Sequence, residues 1–392
     1  MRIALGAAVI APLVAAFVLR SLAPGADLVI VACAGMLVGI GATTLSYLAQ
    51  APGSTGAFYT AIATRHGVFA SVGFLGLILG TVAARRIDWI SQYPITLLVA
   101  ALLLTVLTVV FGETVNGARL WLRVGPVRFQ PSEVSRLLIA IFVAVYLYDR
   151  RHLVVSPWRV GLVDLPPAPY LLPLLTAVLG AVAVLFFQND LGMAALVVLG
   201  ALTVVIGVLR SRLAIGAAIC LLAAAAMASY VAVDRVRGRV SGWLDPWQEP
   251  GGQGFQFIQA DFVLAAGNIA GSHVGFPATN VPEVHTDFML VGVGSQFGFL
   301  VALAMLTLLG VLISRCVLAA FNVRDELRRL LTLSLTTLIG IQVVLIVAGT
   351  LRVLPLTGLT VPLVSYGGTS MIVTLFALGL ILGMGAKVSQ TH

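Results

Sequence analysis

The chain has 392 residues, 60% of them hydrophobic and 10% charged, with a mean hydropathy of +1.07. That composition excludes a soluble globular domain. The net charge of +8 is divided among segments between apolar runs, where topology and lipid head-groups use it, so it does not read as a nucleic-acid signal.

About 20 apolar residues span a bilayer. Runs of that kind fall near 4–19, 28–49, 67–84, 94–111, 133–148, 170–187, 191–208, 212–233, 287–314, 330–350 and 367–386. They predict a polytopic all-α membrane protein with eleven transmembrane helices and one long polar loop, 234–286. The first run is read as a retained helix rather than a signal peptide, because no small-residue cleavage site follows it. Cys33, Cys220 and Cys316 lie in or beside apolar runs, without metal-like spacing, and read as small packing residues.

Basic residues set the orientation. With Lys387, the single lysine, inside, thirteen basic residues fall in inside loops and nine outside, and Arg136 lies in a helix. Met1 is then outside. Six of the nine outside arginines crowd into 112–131 and 234–286, beyond what topology needs.

The 112–131 loop is punctuated by Gly and Pro, which rules out a long helix. Its Leu120, Trp121 and Leu122 suit the membrane interface, with Arg119 and Arg123 reaching head-groups. Pro131, Ser132 and Glu133 start the next helix, and Arg136 shares a face with Glu133. The pair is either an internal ion pair or a substrate contact. Gln188, Asn189 and Asp190 separate two helices almost without a loop. They either cap a helix or line a water-filled cavity. Loop 234–286 carries Trp243, Trp247, Phe255 and Phe257, which suit an ordered loop against the membrane surface. It ends at Asp287, a carboxylate at the mouth of an apolar run, either functional or a plain helix-start acid. Residues 354–370 form a Gly/Pro-interrupted apolar segment, which lines a cavity or makes a tight connection.

On this topology the arginine loop, the Gln188–Asp190 junction, Asp287 and the broken segment with Arg352 and Ser365 all reach the outer side. Arginine suits phosphate oxygens and a carboxylate suits proton abstraction. The combination fits transfer chemistry on a lipid-linked phosphate better than ion conduction. Snorkelling to head-groups is the alternative role for Arg119 and Arg352.

The ordered motifs resemble the RodA/FtsW (SEDS) family. They are Gly117 to Trp121, Phe129 to Glu133, Gln188 to Gly192, Leu244-Asp245-Pro246, Gly254-Phe255-Gln256 with Gln259, His285-Thr286-Asp287-Phe288, and Pro362 to Ser370. The resemblance covers roughly residues 28–386, which leaves 1–27 as an extra N-terminal helix beside a ten-helix core in 28–392. It implies a peptidoglycan glycosyltransferase that polymerises lipid II at the outer face of the bacterial cytoplasmic membrane, for cell shape or division. The implied partner is a class B penicillin-binding protein. Asp287 matches the family's essential aspartate. The candidate substrate contacts are Arg119, Glu133, Arg136, Gln188, Asp190, Gln256, Gln259, His285, Thr286, Arg352 and Ser365. No metal ligands are assigned; a divalent cation, Mg or Mn, is left open as a second stabiliser of the diphosphate.

The sequence departs from the family pattern around this site. Ser295 and Gln296 stand where two glutamates are usual. The glycine-rich loop 267–275 lacks its lysine, Asn189 and Met193 replace a proline and a threonine, and Arg136 replaces a lysine. These changes keep two rivals open: a flippase for the lipid-linked precursor and a non-catalytic scaffold.

Overall fold

The structure is a computed structural model. It describes all residues except 1, 116–117, 126, 156–157, 161–162, 166–167, 210–211, 272–276 and 387–392. Lys387, Met1, Gly117 and residues 272–275 of the glycine-rich loop therefore lie outside the described residues.

The chain folds into α1 (Arg2–Leu22), α2 (Leu28–Leu48), α3 (Gly53–Ala83), a 3-10 turn leading to the short α4 (Ile87–Ile90), and α5 (Pro94–Phe111). Strands β1 (Glu113–Val115), β2 (Ala118–Val124) and β3 (Val127–Phe129) precede α6 (Pro131–Val155). A small hairpin, β4 (Trp158–Val160) and β5 (Val163–Leu165), leads to α7 (Ala168–Phe187), α8 (Leu191–Leu209) and α9 (Arg212–Ala232). Then come α10 (Asp234–Leu244), α11 (Phe255–Gly267), α12 (Met289–Phe297), α13 (Phe299–Asn322), α14 (Glu326–Thr350) and α15 (Gly368–Gly385). Among the described residues, eight helices are long and apolar enough to cross a membrane, and shorter apolar helices lie at 6–22, 172–187 and 222–232. Together they match the eleven apolar runs one for one.

The helices pack by close backbone approach. Across α3 and α15, a Cβ at Gly80 would lie 2.3 Å from the Phe376 carbonyl, and one at Gly379 would lie 2.0 Å from that of Leu77. The Thr81 hydroxyl donates across the same seam to the Gly379 carbonyl (3.1 Å). In a bilayer, packing of this sort takes the place of a hydrophobic driving force. The outward faces carry Leu13, Phe17, Leu75, Leu79, Leu103 and Phe321, all exposed, as a lipid-facing surface requires. The first helix is seated by Ala8, Ala15 and Leu19, and its Pro12 fits against Gly35 of α2.

Contacts at the two ends of the bundle fit helices that alternate in direction. At one end, Arg315 pairs with Asp27 (2.6 Å), Arg328 with Asp88 (2.6 Å) and Arg151 with Glu326 (3.1 Å). At the other end, the Tyr366 amide donates to the His285 carbonyl (2.8 Å), and the Trp243 indole N–H donates to the Arg352 carbonyl (2.8 Å).

Three sequence expectations change. First, 287–314 is not one helix. It breaks at Gly298, whose φ is +86°, into the buried half-length α12 and the spanning α13. A Cβ at Gly298 would lie 2.1 Å from the Ile269 carbonyl, and the Asn268 carbonyl accepts from the Phe299 amide (3.0 Å). The freed backbone is thus satisfied by protein, the condition for non-helical chain at that depth.

Second, α3 begins at Gly53, not near residue 67, so Arg65 lies on a helix rather than in a loop. Its first turns are amphipathic, burying Gly56, Tyr59, Ile62, Ala63 and His66 at helical spacing, and hydropathy detects only the later, uniformly apolar part. Third, the 112–131 loop is a three-stranded antiparallel sheet in which Arg123 pairs with Arg128 across β2 and β3. Both arginines reach Glu113, at 3.6 and 3.4 Å, so Arg123, expected at the head-groups, has a carboxylate partner within the sheet.

Candidate active site

The site is built from four segments that meet at one end of the bundle. The α7–α8 junction, the turn before α12 and the segment between α14 and α15 contain non-glycine residues with positive φ: Asn189 (60°), Glu283 (55°), and Arg352 (57°) with Leu363 (68°). Backbone of this kind is strained, persists only where its surroundings over-determine it, and clusters at functional sites.

Asp287 lies in the tight turn between loop 234–286 and α12. The Glu283 carbonyl accepts from the amides of Thr286 (3.0 Å), Asp287 (3.0 Å) and Phe288 (3.3 Å), which curls the chain so that Asp287 precedes the helix. The Asp287 carbonyl accepts from the Thr350 hydroxyl (3.3 Å), tying the turn to α14. Part of the residue still reaches the surface, yet enclosure of the carboxyl by protein pushes its pKa up to about 7, and the negative Glu283 adds to that shift. Arg239 and a hydrogen bond from Thr286 oppose it. Desolvation is the largest influence on this carboxyl.

Arg239 comes from α10, where it shares a face with Trp243 four residues on. Its Nη1 donates to the Thr357 carbonyl (3.3 Å) while Trp243 binds Arg352, so this face docks α10 onto the broken segment. Gly358 lies between the two charges. A Cβ there would be 3.4 Å from Arg239 Nη2 and 3.7 Å from Asp287 Oδ2. Arg239 was one of the crowded outer arginines in the sequence but was not singled out. The signal was its spacing to Trp243, beside the Leu244-Asp245-Pro246 motif.

Arg119 and Arg352, the arginines expected at the phosphate, are engaged elsewhere. Arg352 pairs with Asp261 of α11 (2.9 Å). Arg119 donates from β2 to the Thr114 hydroxyl (3.2 Å) and the Val109 carbonyl (3.4 Å). Arg239 supplies the positive charge that acts on Asp287.

Behind this pair lies a buried polar network. Glu133 and Arg136 are 4% and 3% exposed and form an ion pair at 2.6 Å. The Arg136 guanidinium also donates to Oε1 of Gln342 (2.7 Å), whose amide nitrogen donates to the Thr360 carbonyl (2.9 Å). From there the Val361 amide donates to the Ser365 hydroxyl (3.0 Å), which donates to the Thr286 carbonyl (2.6 Å). Gln342 was not visible as a site residue from sequence. Asp190 caps α8 by accepting from the Met193 amide (3.1 Å). Its enclosure pushes its pKa up to about 6, with Glu133 adding and Arg239 and Arg136 opposing. Gln188 donates to the Thr105 carbonyl (2.6 Å). Close packing of Gly192 on the Thr357 carbonyl brings this junction against the broken segment.

His285 faces α3. Its ring packs edge-on against Phe58 and Tyr59 and tilts against Tyr366. Burial lowers its pKa, against the pull of Glu283. Gln256 and Gln259 lie half-buried one turn apart on α11. Ser295 and Gln296 are buried on α12. Among the described residues no group of three or more His, Cys, Asp or Glu could hold a metal ion.

The model of the FtsW/RodA/SpoVE cell cycle protein family matches residues 27–390, so its match begins beside α2, after α1. Similar proteins include peptidoglycan glycosyltransferase RodA of Mycobacterium tuberculosis, 36% identical over 68% of this chain, an aligned stretch that spans 57% of that protein's own length. The probable peptidoglycan glycosyltransferase FtsW of Geobacter metallireducens is 31% identical over 83% of this chain and 85% of its own. Among solved structures, a chain of a peptidoglycan synthase complex, described as coordinating polymerization and crosslinking, superposes with a TM-score of 0.74. It is 31% identical and aligns over 93% of this chain and 99% of that one. The rod shape determining protein RodA of Thermus thermophilus follows with a TM-score of 0.64 at 27% identity, over 92% and 96% of the two chains. The chain belongs to the FtsW/RodA/SpoVE family of multi-pass membrane proteins.

Proposed function

We propose that this protein is a peptidoglycan glycosyltransferase that polymerises lipid II at the outer face of the bacterial cytoplasmic membrane. The observation that carries the reading is Asp287: a carboxyl in the His285-Thr286-Asp287-Phe288 stretch, enclosed enough to titrate near neutrality and set beside Arg239. A base with a pKa near the working pH combines a useful ionised fraction with a useful proton affinity. Asp287 takes the proton from the acceptor sugar's hydroxyl as that oxygen attacks the donor sugar with inversion. Arg239 favours the ionised base and offers positive charge toward the departing lipid diphosphate. Arg136, Glu133, Gln188 and Asp190 hold the broken segment and the α7–α8 junction in place around the substrate. Gln256, Gln259, Arg119 and Arg352 line the approach. A divalent cation brought with the diphosphate would share the charge stabilisation. A class B penicillin-binding protein is the partner that the similarity to a synthase complex supports.

Ser295 and Gln296, uncharged and buried on α12, favour a second reading, a non-catalytic scaffold. Purified protein in lipid nanodiscs, given labelled lipid II with and without a penicillin-binding partner, separates the two. Glycan polymer that depends on Asp287 supports the enzyme. Absence of polymer under both conditions supports the scaffold.

A further inference from the structure

Resting on the reading of Asp287 as the base with Arg239 beside it, we propose that Arg352 is a positioning residue: its side chain clamps α10 to α11 and so keeps Arg239 at Asp287.

Helix α10 brings little of its own to hold it in place. Among its described residues only Gly242 is buried, and only Trp243 packs against the apolar core. Gly242 leans on the Gln253 carbonyl, which joins α10 to its own loop rather than to the bundle. An apolar face is what usually seats a helix, so here polar contacts decide where α10 sits. Arg239 lies one turn before Trp243, and its own bond to the Thr357 carbonyl is long, at 3.3 Å. The firmer hold is at Trp243. Its indole N–H donates to the Arg352 carbonyl (2.8 Å), and Nη2 of Arg352 donates back to the Trp243 carbonyl (3.4 Å). Nη1 of Arg352 pairs with Asp261 of α11 (2.9 Å). One side chain thus ties the end of α10 to the middle of α11. Both of its terminal nitrogens bond to protein, which sets this role apart from a direct phosphate contact.

The backbone supports the assignment. At the end of α14 the Arg352 amide donates to the Gly349 carbonyl (3.2 Å), and the Val353 amide donates to the Ala348 carbonyl (2.8 Å). This pair of bonds closes a helix with one residue in the left-handed region, where glycine is usual. Here that residue is Arg352, with φ +57°. Glycine would make the same turn with less strain, so the turn does not account for an arginine. The two side-chain bonds do. In this role Arg352 touches no substrate. It acts through Arg239, whose guanidinium converges with the Asp287 carboxyl on Gly358.

The test uses the full chain in nanodiscs, with labelled lipid II as substrate. Arg352→Gly removes the guanidinium, keeps the carbonyl that Trp243 needs and suits the left-handed backbone. It is expected to lower kcat by about tenfold or more, with KM within about twofold of the parent, because small displacements of a charged group at a reacting centre are costly. Its melting temperature should stay near the parental value. The acid limb of kcat/KM should move to higher pH, as for Arg239→Met, since positive charge is held less firmly at the base. Asp261→Asn opens the clamp from α11 and should repeat the pattern more weakly; it carries the test if Arg352→Gly fails to fold. Arg352→Lys keeps a charge for Asp261 and should recover part of kcat. Arg239→Met combined with Arg352→Gly should be no slower than Arg239→Met alone. Parental kcat and an unmoved limb in both Arg352→Gly and Asp261→Asn overturn the clamp. So does a loss that falls on KM, which marks a substrate contact, or losses that add in the double variant. Asp287→Asn separates the two levels. If it is inactive while the clamp variants are normal, the base stands and the clamp falls. If it is active, the reading of the base fails and the clamp falls with it.

Discussion

Arg239 and Asp287 converge on Gly358, with a guanidinium nitrogen and a carboxyl oxygen at 3.4 and 3.7 Å from the place a Cβ would occupy. The glycine also has φ +75°, so any side chain there meets both strain and the charge pair. Gly358→Ala is expected to lower stability by about 1–2 kcal/mol through the left-handed backbone alone. It should lower kcat by more than that loss of folded protein accounts for. Thermal melting in detergent beside polymerisation rates measures the two effects; a variant with lowered melting and parental kcat argues against the pairing.

Arg239 opposes the rise in the Asp287 pKa. In the parent, kcat/KM should climb with pH through about 7 as Asp287 ionises. Arg239→Met removes the opposing charge, so the acid limb should move to higher pH. An unmoved limb with an unchanged rate would mean that the guanidinium does not act on the base.

The same enclosure has a stability consequence of defined sign. The Asp287 carboxyl titrates near 3.8 when free and at about 7 when folded. The folded state therefore favours the neutral acid. That contribution is fully present below about 3.8 and is lost as pH rises through about 7. Asp287→Asn stays neutral throughout, so it should be inactive yet more stable than the parent at pH 8, by on the order of 1–4 kcal/mol. At pH 5 the gain should be much smaller. Equal melting shifts at the two pH values would remove desolvation as the cause.

The Glu133–Arg136 pair should behave as a buried unit. Arg136→Met leaves an unpaired carboxylate inside the bundle and should cost about 3–5 kcal/mol, whereas the double variant Glu133→Gln with Arg136→Met should recover much of it. Additive losses in melting experiments would show that the two residues stabilise the fold independently.

Hydropathy made the eleven spans legible because each long apolar run has only one use in a chain this poor in charge. It missed the break at Gly298 because a glycine leaves the apolar average unchanged. The excess length of the 287–314 run, well beyond the ~20 residues a bilayer needs, was the available hint. The amphipathic start of α3 was invisible for the complementary reason, since its buried face becomes apparent only with α15 and the Asp287 turn in place. The carboxylates and amides of the site were readable as polar groups at helix mouths. Which arginine meets Asp287 was not readable. Arg237 and Arg239 sit two apart on one short helix, and docking of α10 through Trp243 decides which faces inward. Gln342 was hidden in the same way, inside an apolar span.

The buried ion pair also bears on how the protein is made. Among the eight candidate spans, the one formed by α6 is the least apolar, and it carries Glu133 and Arg136 near its start. A lone charge at the centre of an inserting helix is disfavoured by roughly 2.5–3.5 kcal/mol. One turn of helix brings these two charges together, so α6 can enter the bilayer nearly neutral. Gln342, which later accepts from Nη1 of Arg136, is translated some two hundred residues afterwards. Until α14 arrives, α6 therefore sits in the membrane with the Glu133–Arg136 pair formed but the Gln342 contact still missing.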